Sequence, residues 1–210
     1  MYKITTPDRK FYQRKTALVA RELIGHELVR RITINNSEYD LSGRIVETEA
    51  YGSMQEDEAS HAFSRLTKRN SPMFGPVGRA YVYFTYGNHF CVNVTAKADN
   101  KKAGAVLIRS IEPLTGIGLM QSFRQRSELR ELTSGPGRLS QALAITMEMN
   151  ALDMTDPCSE LHIQTGKGCA TCACTPRIGI TKATNKLWRF VDPTSKFLSR
   201  PISKPFARLE

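Results

Sequence analysis

Residues 43–61 read GRIVETEAYGSMQEDEASH, an acidic stretch in a chain of net charge +10. Arg44, Ile45, Val46 and Thr48 suit an extended, half-buried backbone, and Gly52 with Ser53 supplies turn chemistry. A strand is therefore predicted to end near Tyr51. Side chains alternate along a strand, so Ile45, Glu47, Glu49 and Tyr51 are expected to share one face. Glu47 and Glu49 would then stand roughly 6–7 Å apart. Two carboxylates that close in a partly apolar strand repel one another and lose solvent. Both effects raise a pKa, as a general acid or base requires. Equally, each glutamate could pair with an arginine as a structural salt bridge.

Outward from this stretch, 210 residues with 40% hydrophobic content fit a single domain, 1–210, with a real core. No apolar run is long enough to span a membrane. The opening MYKITTPDRK lacks the apolar segment of a signal peptide, so an intracellular protein is expected. The positive charge is spread along the chain rather than held in a tail. It favours a folded basic face and a polyanionic partner such as nucleic acid. Five cysteines without an export signal argue against disulfides.

In chain order, 8–25 reads as helix, with Gly25 at its end, and HELVRRITI as a strand before a turn at 35–40. Residues 63–79, rich in Lys, Arg, Gly and Pro and ending at Arg79, read as an ordered loop. It could follow a phosphate backbone or merely connect. Residues 79–96 form two β-rich runs around Tyr86-Gly87-Asn88-His89, a hairpin. Tyr86 at its tip could fold back over the sheet or wedge into a base step. Residues 105–112 read as a buried strand ended by Pro113. Arg109 within it must reach water or a carboxylate. LTGIGLMQSFRQR reads as a helix with an ordinary apolar face. Residues 134–145 open on a Gly/Pro turn and continue as helix. Backbone N–H groups beside Arg138 could seat a phosphate or simply be capped. Residues 150–176 read as a long excursion without a clear element, and 177–191 as β-like alternation.

Walker, GxGxxG, GxSxG and HExxH signatures are all missing from the sequence. Cys158, Cys169, Cys172 and Cys174 could hold a structural zinc or be free thiols in a variable loop. A carboxylate pair with tyrosines and histidines suits cleavage of a glycosidic bond. Neutral sugars gain nothing from a +10 field, whereas nucleic acid does. The reading favoured over a carbohydrate-acting hydrolase is therefore a glycosidase that cleaves a base from its sugar.

RIVETEAY (44–51), EDEASH (56–61), YVYFTYGNHFCVN (81–93), LIRSIEPL (107–114), SGPGRLSQALAI (134–145) and RIGI (177–180) occur in this order. Together they closely resemble the 3-methyladenine, or alkyladenine, DNA glycosylase family of base-excision repair, from about Phe11 to about Leu198. The resemblance implies an α+β single domain: a curved antiparallel sheet with flanking helices and a protruding hairpin that enters DNA. It also implies a monofunctional enzyme without metal or cofactor. Such an enzyme would work as a monomer on duplex DNA carrying alkylated or deaminated purines. Glu49 matches the general base; Arg109 and the backbone carbonyl of Ile178 match the groups that hold the attacking water. Tyr51, His61, Tyr83 and Asn93 match the base pocket. Tyr86 matches the side chain that replaces the flipped nucleotide, with Arg79 and Arg138 expected on the DNA backbone. Glu47 receives a structural part only. An extra residue between Tyr51 and His61, and His89 where an aromatic often stands, depart from the pattern. A damage-binding module without catalysis is the alternative, disfavoured by intact ETEAY and LIRS motifs.

Overall fold

The computed structural model describes residues 5–85, 89–202 and 207–209, the last three by backbone alone. In chain order come α1 (Arg9–Tyr12), α2 (Thr16–Glu22), β1 (Glu27–Ile34), β2 (Ser37–Tyr51), α3 (Ser71–Phe74), β3 (Ala80–Thr85) and β4 (His89–Thr95). Then follow β5 (Ala105–Thr115), α4 (Ile117–Arg124), α5 (Leu129–Thr133), α6 (Pro136–Ala142), β6 (Leu161–Gln164), β7 (Cys172–Thr175), β8 (Arg189–Val191) and β9 (Ala207–Leu209). The nine strands among the described residues join one antiparallel sheet. Its main path runs β3-β4-β5-β2-β8-β7-β9, with β1 between β2 and β6. This is an α+β fold with a curled sheet.

The spine of the sheet is β2. Its first half, exposed over 37–40, pairs with β1 across a two-residue turn at Asn35-Asn36, both at positive φ. Asparagine tolerates that conformation, which matches the twist of a hairpin. Its buried second half pairs with β5, and Glu47–Glu49 also pair with β8. The register against β5 shifts at Ser42/Gly43 and again on both sides of Glu47. Such bulges bend and twist a strand, which curls the sheet. At the first shift only glycine fits: a Cβ on Gly43 would lie 2.7 Å from the Glu112 carbonyl oxygen.

The second bulge decides which side chains meet. Ile45 is paired with Ile111 and Glu47 with Ser110, then Thr48 with Ile108, so Val46 and Arg109 are left out of the register. Ile45 therefore packs in the same apolar core as Ala50, while Thr48 Oγ1 donates to the Ala20 carbonyl of α2 at 2.7 Å. Glu47, Glu49 and Tyr51 point to the other face. The simple alternation that placed Ile45 beside the glutamates fails at this bulge.

The main core lies between the sheet and its helices. Val19, Ala20, Leu23 and Ile24 at α2, and Leu139, Ala142 and Leu143 at α6, are fully buried against β-strand residues such as Ile108 and Val92. Burial of each large aliphatic side chain contributes about 1.5–3 kcal/mol. Several elements differ from the sequence expectations. The helix expected over 8–25 is two helices, broken at Gln13–Lys15. β5 continues through Pro113, which stands opposite Gly43 next to a register shift, where a missing N–H is tolerated. The excursion at 150–176 contributes β6 and β7, and the alternation at 177–191 is strand only over β8.

Candidate active site

The sheet face opposite α2 opens into a cavity of about 350 Å³, lined among others by Tyr51, His61, Tyr83, Asn93, Arg109 and Ile178. β2 supplies Tyr51 and, beneath it, Glu49. β3 and β4 supply Tyr83 and Asn93. Both glutamates are completely buried.

Glu49 is held by three donors. The Ile178 backbone N–H donates to Oε1 at 2.7 Å. The Tyr51 hydroxyl and Arg109 Nη1 donate to Oε2 at 2.8 and 3.1 Å. The expectation for Ile178 concerned its carbonyl; the contact made is through its N–H. Ionised carboxylates accept at about four lone-pair sites, so Glu49 retains capacity for one further donor.

Glu47 has a still denser cage. Arg109 Nε, Arg189 Nε and the Ser199 hydroxyl donate to Oε1 at 2.9, 2.8 and 2.7 Å, and the Ser199 N–H donates to Oε2 at 2.6 Å. Arg109 Nη2 completes the link to Ser199 Oγ at 3.3 Å. Two carboxylates and two guanidiniums thus share one buried cluster. Burial alone would push the Glu47 carboxyl up. Arg109, Arg189 and the Ser199 amide outweigh it and hold the group below the usual carboxylate range. Burial would likewise lower Arg109, but Glu49 and Glu47 hold it above its ordinary value.

The base-sized part of the cavity is aromatic. His61 Nδ1 lies 2.9 Å from the Tyr81 hydroxyl, and its ring meets Tyr83 edge-on at 4.7 Å between centroids. Burial, helped by Arg69, depresses the His61 pKa, so its neutral form is favoured. Burial also raises all three pocket tyrosines, with Tyr81 pushed up to about 12 and the Glu49 charge adding to the effect on Tyr51. They are neutral hydrogen-bond donors at ordinary pH. Asn93 is pinned by donating to the Tyr81 carbonyl at 2.8 Å.

A buried pair stands behind Tyr51. Arg177 Nη1 and Nη2 each reach Asp57 at 2.6 Å, and Nη1 also donates to the Ala50 carbonyl at 2.8 Å. Its guanidinium lies 4.8 Å from the Tyr51 ring centroid. This anchors the segment that presents Ile178 to Glu49. Of the rest of the acidic run, Glu56 meets Lys101.

Glu49, Arg109, Ile178, Tyr51, His61, Tyr83 and Asn93 are therefore brought together. Arg79 is not among them: it pairs with Asp153 at 3.4 Å, at the opposite end of β3 from the hairpin turn. Arg138 is exposed, with Nη1 3.3 Å from Ser134 Oγ, in a depression that also touches Ser199. Tyr86 lies outside the described residues. Sequence reasoning missed Tyr81, Arg177, Arg189 and Ser199 as parts of the site. Arg177 opens the RIGI motif and Tyr81 the YVYF run, which could have marked them; Arg189 and Ser199 carry no such signal.

Among the described residues, no group of three or more His, Cys, Asp and Glu side chains is placed to hold a metal ion. The five cysteines are free thiols. No helix of the described residues is long and apolar enough to cross a membrane.

The model of a family described as Methylpurine-DNA glycosylase (MPG) matches residues 10–196. A relative from Koribacter versatilis is 45% identical over 195 residues, covering 91% of each chain. One from Carboxydothermus hydrogenoformans is 44% identical over 91% of this chain and 97% of its own. A third, from Methanoculleus marisnigri, is 42% identical over 90% and 96%. Each of these relatives carries the name "Putative 3-methyladenine DNA glycosylase".

Proposed function

The chain belongs to the methylpurine-DNA glycosylase family, and we propose from that membership how its residues act. It is a monofunctional DNA N-glycosylase of base-excision repair, hydrolysing the bond between base and deoxyribose. Alkylated or deaminated purines in duplex DNA are the proposed substrates, and an abasic site the product. The observation that carries the reading is Glu49: a buried carboxylate, aimed by three donors, beside an aromatic cavity in a basic protein.

Glu49 takes a proton from the water that attacks C1′ as the glycosidic bond breaks, and its charge stabilises the oxocarbenium-like transition state. Arg109 and the Ile178 carbonyl hold that water, while Arg109 and the Ile178 N–H also aim the carboxylate. Tyr51, His61 and Tyr83 hold the extruded base; extrusion costs a few kcal/mol, which stacking offsets in part. Neutral tyrosine faces favour a cationic N-alkylpurine, by about 1–2 kcal/mol in a dry pocket. Neutral His61 adds no opposing charge. Asn93 crowds the 2-amino group of guanine and biases selection toward adenine-type bases. Tyr86 fills the gap in the stack. Of the two arginines assigned to the DNA backbone, exposed Arg138 is the better placed, since Arg79 already serves Asp153. One chain suffices for this chemistry, and chromosomal DNA inside the cell is its setting.

The test is release of free base from methylated duplex DNA by the purified protein. Expected is liberation of methylated purines that leaves the strand intact until alkali cleaves it at the abasic site. Tight binding of the damaged duplex without release would overturn the reading.

A further inference from the structure

Glu47 is not accounted for by the chemistry above, yet it accepts more hydrogen bonds than Glu49 itself. Four donors converge on it from β5, β8 and the Ser199 segment. A structural role alone is a poor explanation. Burying charges carries a desolvation cost that an apolar or neutral polar set would avoid, so a buried ion pair is weak evidence of a stabilising purpose. The geometry has a more specific consequence. Arg109 is divided: Nε serves Glu47, Nη1 serves Glu49 and Nη2 serves Ser199.

We propose that Glu47 is a positioning residue: by sharing Arg109 with Glu49 it sets how far that guanidinium offsets the Glu49 charge when Glu49 takes a proton from water. The groups facing Glu49 are few. Glu47 and Tyr51 come from its own strand, Arg109 from β5, the Cys91 thiol from β4, and Arg189, its register partner on β8, enters through Glu47; Arg177 and Asp57 behind Tyr51 pair with each other and cancel. Tyr51 and Cys91 are neutral. The balance is therefore two guanidiniums against two carboxylates. Take the Glu47 charge away and both cations bear on Glu49 alone, which makes it a weaker base. Ser199 fixes the division, since its hydroxyl donates to Glu47 and accepts from Arg109. Without that hydroxyl, Glu47 draws Arg109 further toward itself and Glu49 becomes more basic.

This inference rests on Glu49 being the general base, and the experiment separates the two. Single-turnover release of 7-methylguanine from methylated duplex is followed against pH, because the fixed charge of that base keeps leaving-group protonation out of the profile. Glu47→Gln keeps the shape and removes the charge. Its plateau rate should fall about tenfold or more, and its acid limb should move down by about one pH unit. Duplex affinity should stay within about twofold of wild type, as nothing in the base pocket is altered. Ser199→Ala, a mild change that retains all four charges, should move the acid limb the opposite way. It keeps the test decisive even where Glu47→Gln does not fold. A merely structural part would lower rate and melting temperature together and leave the limb in place. A wild-type profile without an acid limb overturns Glu49 as the base, and this inference with it. A wild-type limb that Ser199→Ala and any folded Glu47→Gln leave unmoved overturns this inference alone.

Discussion

The Ile178 N–H meets Glu49 Oε1 at 2.7 Å, across 129 positions of the chain. Together with Tyr51 and Arg109 it surrounds the carboxylate with donors. Glu49→Gln replaces one oxygen by an NH₂ group, which must then face one of those donors. Base release should fall by at least about a thousandfold, since the variant has neither a base nor a charge to offer. Affinity for damaged duplex should remain close to wild type. Normal single-turnover release by this variant would sink the mechanism.

Tyr51→Phe keeps the ring against the base and deletes the hydroxyl that aims Glu49 Oε2. A hydrogen bond to a charged group contributes about 1.5–3 kcal/mol. The expected result is a rate lowered about tenfold at plateau and an acid limb moved upward, with duplex affinity unchanged. Affinity lost while rate is retained would show that the residue serves only to bind.

Tyr86→Ala should weaken duplex binding and lower the fraction of flipped base, read by the fluorescence of 2-aminopurine beside the lesion. Equal flipping and affinity in the variant would remove the wedge assignment, which rests on the family resemblance, since Tyr86 is outside the described residues.

Asp57→Asn leaves the fully buried Arg177 guanidinium without its counter-charge. Breaking a buried pair in this way costs about 3–5 kcal/mol. Chemical denaturation should show a loss of that size, and activity should fall as the Ile178 segment loosens. A change under about 1 kcal/mol would mean that Ala50 and the aromatic rings suffice to hold Arg177.

Acid should unfold the protein by a related route. Despite burial, which would raise them, Glu47 and Asp57 are both held below their ordinary values by arginines and backbone N–H groups. Their contribution to stability is full above the unfolded values of about 4.3 and 3.9. It is lost as pH falls through the depressed folded values. Urea midpoints should hold down to about pH 5 and then drop steeply. Glu47→Gln, where it folds, should flatten that drop.

The local parts of this molecule were legible in its sequence. The ETEAY strand, the two β-runs of 79–96 that pair as β3 and β4, and the need of Arg109 for a carboxylate all follow from period and charge. The parity of Ile45 was not legible, because the bulge at Val46 is a property of the β2–β5 register and leaves no mark in either strand. β6 and β7 are four residues each, too short for a periodic pattern to emerge from a Cys-rich segment. Arg189 and Ser199 reach Glu47 from 142 and 152 positions away. Neither lies in a motif, so only the folded chain reveals them.

The Ser199 contact also bears on when the enzyme becomes active during its own synthesis. Loop-closure entropy grows with the logarithm of separation, roughly 4 kcal/mol for a span of this length before any contact offsets it. Pairings between sequence neighbours, such as β1 with β2 and β3 with β4, precede such a contact. The charge cluster is then among the last features to lock. A nascent chain that has not yet extended through Ser199 carries the residues of the aromatic cavity but not the completed charge cluster. Competence to release the base would thus arrive late, with the Ser199 segment rather than with the sheet that bears the carboxylate proposed as the base.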